Sequence, residues 1–352
     1  MTDLKQSNSI ISSKAETHAS IPGSHDSMDD TDGAIDFVEF ETRQATVPIG
    51  SHGERLDRAM ALIVPEFSRS YLQQLIASSA VLHNGMAQTK SSARVKAGDA
   101  LSIELKPTPQ SQAFKPEAMA LDVVFEDDFL LVINKPAGLV VHPAPGNWSG
   151  TLLNGLLARD AQALNLPRAG IVHRLDKDTS GLMVVARTRQ TMDQLVNMIA
   201  ARSVNRQYIA LANGTWQGAK TRHVDLPIGR DVRNRLRMAV VDMAKHPGKS
   251  AVTDVTLLES TANCCLVQCK LHTGRTHQIR VHMAALGHPL VSDLLYGGAM
   301  AGGLLRQALH AVRLAFEHPV THAPLVFQAV LPADMQLALA DLGLRYNKIK
   351  FI

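Results

Sequence analysis

The polar residues enclosed by two apolar stretches at positions 171–186 are the first candidates for chemistry. The segment reads IVHRLDKDTSGLMVVA, and His173, Arg174 and Asp176 stand near its centre. Asp, Thr, Ser and Gly all favour turns, so an ordinary charged turn between two strands is one interpretation. The other is an active-site loop in which Asp176 supplies a nucleophilic carboxylate. The segment alone leaves both interpretations open.

A second polar cluster occupies residues 271–282, with the sequence LHTGRTHQIRVH. The pattern predicts a strand end, a glycine turn and a helix start, which place Arg275 at the mouth of the helix. His277 and Arg280 are three residues apart, so they share one face of that helix. A basic, solvated helix end is the alternative. Together the two clusters suggest a paired site, in which an arginine keeps a buried acid ionised near neutral pH.

Several cofactor and metal templates fail at single residues. A calcium loop beginning at Asp176 would need a bidentate Glu where Arg187 stands. The Gly-Lys-Ser run at 248–250 lacks the upstream glycine of a phosphate loop, because that position is Met243. His277 and His282 are five residues apart and lie on different faces of a helix, which excludes one common zinc arrangement. The sequence therefore predicts no metal and no cofactor.

The charge of the chain is unevenly distributed. The 352 residues have a formal net charge of +4, but residues 1–44 hold nine acids and three bases, so the remainder carries +10. A basic body favours a polyanionic partner through phosphate contacts, although a soluble enzyme with a basic surface is equally compatible. No apolar stretch approaches the ~18 residues of a membrane span, and the first ten residues do not resemble a secretion signal. A cytoplasmic protein is expected.

The pattern along the chain predicts four regions. Residues 1–49 form an acidic tail without a core, and residues 50–108 form a small domain that begins with two short helices. Residues 109–118 are proline-bounded and polar, as in a linker. Residues 119–352 mix strands with helices, which is typical of an α+β domain around a mixed or mostly antiparallel sheet. The three cysteines, Cys264, Cys265 and Cys269, are odd in number and lie in an apolar run, so reduced core residues are expected.

Individual elements of the α+β region can be placed from periodicity. Alternating or β-branched stretches predict strands, and apolar residues repeated on one helical face predict helices flanking the sheet. The expected strands are 121–125, 130–134, 171–172, 183–186, 208–212, 252–258 and 265–271, and the expected helices are 151–157, 191–199 and 276–286.

Four segments, taken together, resemble the pseudouridine synthases of the RluA family. They are NKPAGLVVHP at 134–143, HRLDKDTSGL at 173–182, RQY at 206–208, and LHTGRTHQIRVHMAALGHPLVSD at 271–293. Residues 53–76, with VLHNG and VKAGD after them, resemble the αL-motif RNA-binding domain, of the S4 type, that such enzymes carry. The resemblance covers about residues 50–340 and is strongest to the branch that modifies large-subunit ribosomal RNA. It implies the pseudouridine synthase fold.

The resemblance also implies a reaction and the residues that perform it. Enzymes of this family isomerise specific uridines in RNA without a cofactor. Asp176 matches the essential carboxylate, which could attack the sugar, add to the base or abstract a sugar proton. Tyr208 matches the tyrosine that stacks on the target base and could assist proton removal from it. Arg280 matches the arginine that pairs with the aspartate, with Arg275 as the alternative. Arg174 resembles the side chain that replaces the extruded uridine in the RNA stack.

The expected partner is 23S ribosomal RNA or a pre-ribosomal particle, with the stem-loop of an intersubunit bridge as the target. A monomer with no membrane contact and no nucleotide cofactor is expected. A sister synthase with other ribosomal sites, a non-catalytic ribosome-assembly protein and a hydrolase using Asp178 as a second carboxylate remain alternatives. The residues expected to contact RNA are Arg174, Arg275 and His277 in the catalytic domain and Arg55, Arg58, Arg69, Lys90 and Arg94 in the small domain.

Overall fold

A computed structural model describes residues 41–65, 67, 69–105, 113–144, 146–234 and 237–346. Contacts divide the chain into two compact units, one ending at Gln110 and the other beginning at Ser111. Most of the expected acidic tail, residues 1–40, lies outside the described residues. No described helix is both long and apolar enough to cross a membrane.

The small unit contains a four-stranded antiparallel sheet and the two helices expected from the sequence. Leucine, methionine and isoleucine side chains from both helices form its core against the sheet. The sheet order is β1-β4-β2-β3. Asn84 and Gly85 both have positive φ, 50° and 82°, as the tight turn between β2 and β3 requires. The elements are β1 (Glu41–Thr46), α1 (Leu56–Ile63), α2 (Arg69–Ala77), β2 (Val81–His83), β3 (Met86–Ala87) and β4 (Ala100–Leu105).

Two segments that the sequence placed in the acidic tail and in the linker make ordered contacts with the compact units. Strand β1 precedes residue 50 and pairs with β4 from Glu41 opposite Leu105 to Thr46 opposite Ala100, so the unit begins earlier than expected. On the other side, the amide of Asn154 donates to the carbonyls of Ala113 and Lys115, which ties residues expected in the linker to the larger unit. Strand pairing holds the first segment and the side-chain amide of Asn154 holds the second, and composition reveals neither.

The larger unit is built on a nine-stranded sheet of order β5-β6-β7-β15-β8-β14-β13-β9, with β16 paired to β15. Among the described strands only β7 and β15 run parallel, so the expected α+β fold with a mixed, mostly antiparallel sheet is confirmed. A second sheet has the order β11-β10-β12. The strands are β5 (Val123–Glu126), β6 (Leu130–Lys135), β7 (Ser180–Ala186), β8 (Asn205–Asn213), β9 (Thr221–Asp225), β10 (Ile228–Arg230), β11 (Met238–Val240), β12 (Gly248–Lys249), β13 (Val252–Ser260), β14 (Cys264–Leu271), β15 (Leu309–Glu317) and β16 (Pro324–Gln328).

Helices cover both faces of the large sheet. One face, which includes Tyr208 and Ala210, packs with α3 and α5, while Ile209 and Leu211 on the opposite face pack with α6. Because successive side chains of a strand alternate between faces, β8 must present Arg206 and Tyr208 on the same side. The helices of this unit are α3 (Leu152–Arg159), α4 (Arg189–Ala200), α5 (Gln278–Ala285) and α6 (Ala333–Asp341).

We expect Gly181→Ala to destabilise the fold much more than Gly287→Ala. A Cβ at Gly181 would lie 2.3 Å from the carbonyl oxygen of Ala311, where β7 meets β15, and the residue also has a φ of +117°. Gly287 has a φ of +82° but no atom within 4 Å of such a Cβ. The control therefore loses only the ~1 kcal/mol of a strained backbone, against about 3 kcal/mol or more for Gly181. Chemical denaturation measures both, and equal losses would contradict the close approach of the strands.

Candidate active site

A cavity of about 630 Å³ opens in the larger unit at the ends of β8 and β14. The loop before β7 and the first turn of α5 form part of its wall. Among the described residues, Asp176 is the one carboxylate that lines it, whereas six arginines do, so the wall is strongly cationic. The charged, histidine and tyrosine side chains that line it are His142, Arg168, His173, Arg174, Asp176, Arg202, Arg206, Tyr208, His272, Arg275, His277 and Arg280.

Asp176 and Arg280 form a direct ion pair in this cavity. Nη1 of Arg280 donates to Oδ2 of Asp176 at 3.2 Å, and the two side chains are 8% and 16% exposed, respectively. Arg275 was the alternative partner, but its Nε donates to the carbonyl of Ser250, 3.0 Å away. The structure thus brings together the residues that the sequence placed 104 positions apart.

Asp293 fixes the orientation of Arg280. Its two oxygens accept from Nε and Nη2 of Arg280 at 2.7 and 2.8 Å, and its side chain is 1% exposed. Burial alone would lower the pKa of Arg280, but the hydrogen bonds and charge of Asp293, together with Asp176, raise it above its ordinary value. Two carboxylates share one guanidinium, so the triad keeps a net negative charge. Sequence reasoning missed Asp293, although it closes the segment 271–293.

Tyr296 and His277 complete the surroundings of the pair. The guanidinium of Arg280 lies 4.9 Å from the ring centroid of Tyr296, a cation–π contact. The Tyr296 hydroxyl accepts from the amide of Met238 at 3.0 Å, and it lies 2.7 Å from Nδ1 of His277. Because the hydroxyl can donate its own proton to Nδ1, the remaining imidazole proton belongs on Nε2, which is 3.9 Å from Asp176.

His277 therefore faces the carboxylate as a neutral donor. Burial lowers the pKa of His277, and the charge of Asp176 only partly opposes that effect. The sequence predicted this residue as an RNA contact. That role stays a prediction, but the structure adds a position beside Asp176 that spacing alone did not reveal.

Tyr208 lies in the same cavity and is 5% exposed. Burial raises the pKa of Tyr208, and the charge of Asp176 acts in the same direction. The phenol therefore keeps its proton across the neutral pH range. A buried, uncharged ring beside a carboxylate can stack on a planar base.

Two cations, the buried Lys135 and the half-buried Arg306, hold the loop that carries Asp176. Lys135 is 1% exposed, and its Nζ donates to the carbonyls of Pro136, Leu139 and Lys177 at 2.7, 2.9 and 2.9 Å. Arg306 donates to the carbonyl of Asp178 at 2.9 Å. Sequence reasoning did not assign either residue, although Lys135 lies in the segment 134–143 that carried the resemblance.

Three of the small-domain arginines that were predicted to contact RNA also bind groups within the small unit. Arg55 and Arg69 both bind Asp57, at 3.0 and 2.9 Å, and the side chain of Asp57 is fully buried. Nη1 of Arg94 donates to the carbonyl of Gly53 at 2.8 Å. These contacts give the three arginines a structural role within the small unit, and their contact with RNA stays a prediction. Two further candidates, Arg58 and Lys90, are exposed, and in the larger unit Arg174 is exposed at the cavity.

The described residues contain no group of three His, Cys, Asp or Glu side chains arranged to hold a metal ion. The three cysteines are buried and unpaired. Burial raises the pKa of Cys265 to about 12, so this thiol stays protonated. The expectation that the cysteines are reduced core residues agrees with these positions.

A family model described as RNA pseudouridylate synthase matches residues 129–285. The ribosomal large subunit pseudouridine synthase D of Neisseria meningitidis serogroup B is 45% identical over 342 residues, which cover 93% of this chain and 89% of that protein. The protein of that name from Xylella fastidiosa is 46% identical over 314 residues, which cover 86% and 92%. The chain belongs to the RNA pseudouridine synthase family and is an isomerase. The resemblance found in its motifs is confirmed.

Further similarities agree with this assignment. The ribosomal large subunit pseudouridine synthase D of Yersinia pestis is 43% identical over 305 residues, which cover 83% of this chain and 91% of that protein. Among solved structures, human RNA pseudouridylate synthase domain containing 4 superimposes with a TM-score of 0.50 at 26% identity, and the match covers 64% of this chain and 94% of that one.

We expect Asp293→Asn to impair both stability and catalysis. An amide cannot accept both guanidinium hydrogen bonds, so Arg280 loses its fixed orientation and one buried charge loses its partner. Breaking a buried ion pair costs about 3 to 5 kcal/mol, and kcat falls because Arg280 no longer holds Asp176. Denaturation and steady-state kinetics measure the two effects. Asp193→Asn, which removes the exposed partner of Arg189 on α4, is the control, and similar losses in both variants would contradict the role of Asp293.

The stability of the wild type relative to Lys135→Met is expected to depend on pH. Burial lowers the pKa of Lys135 from 10.5 to about 8, against the opposing charges of Asp178 and Asp176. Between these pH values the unfolded chain binds more protons at this position than the folded chain, so wild-type stability rises with pH. From pH 8 to 10.5, the free energy of unfolding of the wild type rises by up to about 3 kcal/mol relative to that of Lys135→Met. Urea titrations at several pH values measure both free energies of unfolding. A difference between them that does not change with pH would contradict the lowered pKa of Lys135.

Proposed function

We propose that the protein isomerises specific uridines to pseudouridine in large-subunit ribosomal RNA, with Asp176 as the essential carboxylate. The observation that supports this proposal most strongly is that Asp176, the one carboxylate among the described residues of the cavity wall, is held by Arg280 and surrounded by five other arginines. Relatives that align along most of the chain are named for large-subunit ribosomal modification. The target is 23S RNA or a pre-ribosomal particle in the cytoplasm, and the enzyme acts as a monomer.

The reaction rearranges bonds within one nucleotide. The bond from the sugar C1′ to N1 of uracil breaks, the base rotates, and C1′ bonds to C5. The proton on C5 then leaves, and N1 gains one, so no external oxidant or reductant is needed. Asp176 can attack C1′, add to the base or take a sugar proton. All three roles require the carboxylate to contact the nucleotide, and the Arg280 pair holds Asp176 at the wall of the cavity, where such a contact can form.

Tyr208 is proposed to stack on the extruded base. Because a phenol with a raised pKa keeps its own proton at neutral pH, it is not ready to accept another, so the position supports stacking more strongly than proton removal from the base. Assistance to the departure of the C5 proton remains part of the proposal for this residue. Arg174, exposed at the cavity, is proposed to fill the gap that the extruded uridine leaves in the RNA stack.

The target is proposed to be a loop of the intersubunit-bridge region. Extrusion of a base costs a few kcal/mol and least where the base is already unpaired. The cationic wall then contacts phosphates on both sides of the target. The small unit adds affinity through exposed basic side chains, of which Arg58 and Lys90 are the best placed and Arg55, Arg69 and Arg94 are partly committed to internal contacts.

The alternatives meet specific obstacles. A hydrolase cleaving the same bond would need a second carboxylate to activate water, but Asp178 is not among the cavity-lining residues. A non-catalytic assembly protein would not need a buried triad of Asp176, Arg280 and Asp293, whose desolvation is costly. A sister synthase would perform the same reaction on other uridines of ribosomal RNA, so mapping the modified uridines distinguishes the two enzymes.

We expect Asp176→Asn to abolish conversion while RNA binding persists. The amide preserves shape but removes the reacting charge, and a loss of at least 10³-fold in kcat corresponds to about 4 kcal/mol of transition-state stabilisation. Release of tritium from RNA labelled at C5 of uridine, without added metal or nucleotide, measures the reaction. Asp178→Asn is the matched control on the same loop and keeps most of the activity. Free uracil among the wild-type products would favour the hydrolase instead.

A further inference from the structure

Arg206 is a buried guanidinium without an anionic partner. The residue is 6% exposed, lines the catalytic cavity, and lies two positions before Tyr208 on the same face of β8. Its Nε is buried and has no hydrogen-bond partner. No described residue accepts a hydrogen bond from its guanidinium or offers it a carboxylate within 4 Å. The one carboxylate of the cavity, Asp176, is bound by Arg280 instead.

The neighbours of Arg206 keep its guanidinium in place without neutralising it. A Cβ at Gly274 would lie 2.9 Å from Nη1 of Arg206, so the guanidinium lies directly against the loop between β14 and α5. That loop has room for it because residue 274 is glycine. The chain therefore fixes the charge in a narrow space beside the cavity.

His173 adds a second unsatisfied donor to the same cavity. Its Nε2 accepts from the amide of Val184 at 3.0 Å, so the neutral ring carries its proton on Nδ1, which is buried and has no partner. Burial, and then the charge of Arg206, lower the pKa of His173 to about 3. The ring is neutral at physiological pH. Two buried donors without acceptors, Nε of Arg206 and Nδ1 of His173, belong to residues that line the same cavity as Tyr208, and they favour a ligand that is an anion.

Such an arrangement is unfavourable in the free protein. A buried charge without a partner costs several kcal/mol, and proteins retain such groups mainly where a ligand completes them. Arginine binds phosphate through two parallel hydrogen bonds, which suits an oxygen-rich diester. RNA brings such a group on each side of every base.

We propose that Arg206 binds the phosphodiester adjoining the target uridine while Tyr208 stacks on the base. Arg206 and Tyr208 are about 7 Å apart along β8, so one nucleotide can contact both side chains. This inference rests on the proposed RNA substrate. Arg206 then fixes the RNA backbone relative to the target base that stacks on Tyr208. Its role is to bind the substrate, whereas Asp176 is proposed to act in the chemical step.

The first test compares Arg206→Met with Arg206→Lys. We expect Arg206→Met to weaken binding of a target stem-loop 10- to 100-fold and to raise KM more than it lowers kcat, whereas Arg206→Lys recovers part of the affinity. The slope of log affinity against log salt concentration becomes shallower by about 0.7 to 1 in the Met variant, because one phosphate contact is lost. Arg222→Met, on β9 outside the cavity, controls for the removal of any positive charge.

A second test identifies the phosphate. Stem-loops are made with a neutral methylphosphonate on either the 5′ or the 3′ side of the target uridine, and the preceding sugar is 2′-O-methylated for stability. We expect the wild type to bind one of the two modified RNAs more weakly than the unmodified RNA. Arg206→Met is expected to bind that modified RNA and the unmodified RNA equally well, because it has already lost the contact. The phosphate that shows this pattern is the one bound by Arg206. Independent, additive losses at both positions would contradict the proposal.

Stability separates this role from a structural one. Removal of an unpaired buried charge leaves the melting temperature of Arg206→Met equal to or above that of the wild type, whereas a structural arginine would lower it. Gly274→Ala keeps the charge but crowds the guanidinium, and it is expected to weaken RNA binding in the same direction. Unchanged affinity and salt slope in Arg206→Met overturn the proposal. A wild type that binds the stem-loop but converts no uridine would instead overturn the proposed function.

Discussion

The site depends on how Arg280 is shared between Asp176 and Asp293. Asp293 takes two of the guanidinium hydrogen bonds at 2.7 and 2.8 Å, and Asp176 takes one at 3.2 Å. Arg280 is consequently fixed by the carboxylate that does not face the cavity and is left with a single, weaker bond to the one that does. A full bidentate pair with Arg280 would have engaged both oxygens of Asp176. The triad instead positions Asp176 with one hydrogen bond and leaves it at the wall of the cavity.

The large sheet brings these groups together. Asp176 precedes β7, Tyr208 lies on β8, and Arg280 follows β14, so the site forms only when these strands take their places around β15. The loop of Asp176 is further fixed through its own backbone, because Lys135 and Arg306 bind the carbonyls of Lys177 and Asp178. Backbone acceptors leave the carboxylate itself unneutralised. Rigidity and charge are thus controlled by different atoms of one short loop.

The resemblance carried by the motifs pointed to Asp176, Tyr208 and Arg280, and the structure brings these three residues to one cavity. Sequence reasoning did not predict Lys135 or Asp293, because burial of a charged side chain depends on partners supplied by distant residues. Strand β1 was missed for a related reason: its residues ETRQAT carry no apolar alternation, and pairing with β4 alone makes them a strand. The arginines assigned to RNA in the small unit include two that bind the buried Asp57, whose position in α1 resembles that of an ordinary surface acid.

The protonation states around the cavity restrict where charge can develop during the reaction. His173 and His277 have lowered pKa values and Tyr208 has a raised one, all chiefly through burial, so these groups stay neutral near pH 7. In the proposed reaction, Asp176 and the arginines of the cavity then compensate the changing charge of the nucleotide. The strength of that compensation depends on distances that the protein sets when it folds, and little on a proton arriving from solvent. Burial therefore keeps these neighbours of Asp176 from titrating, so that the carboxylate proposed to react lies in an electrostatic field that does not change near pH 7.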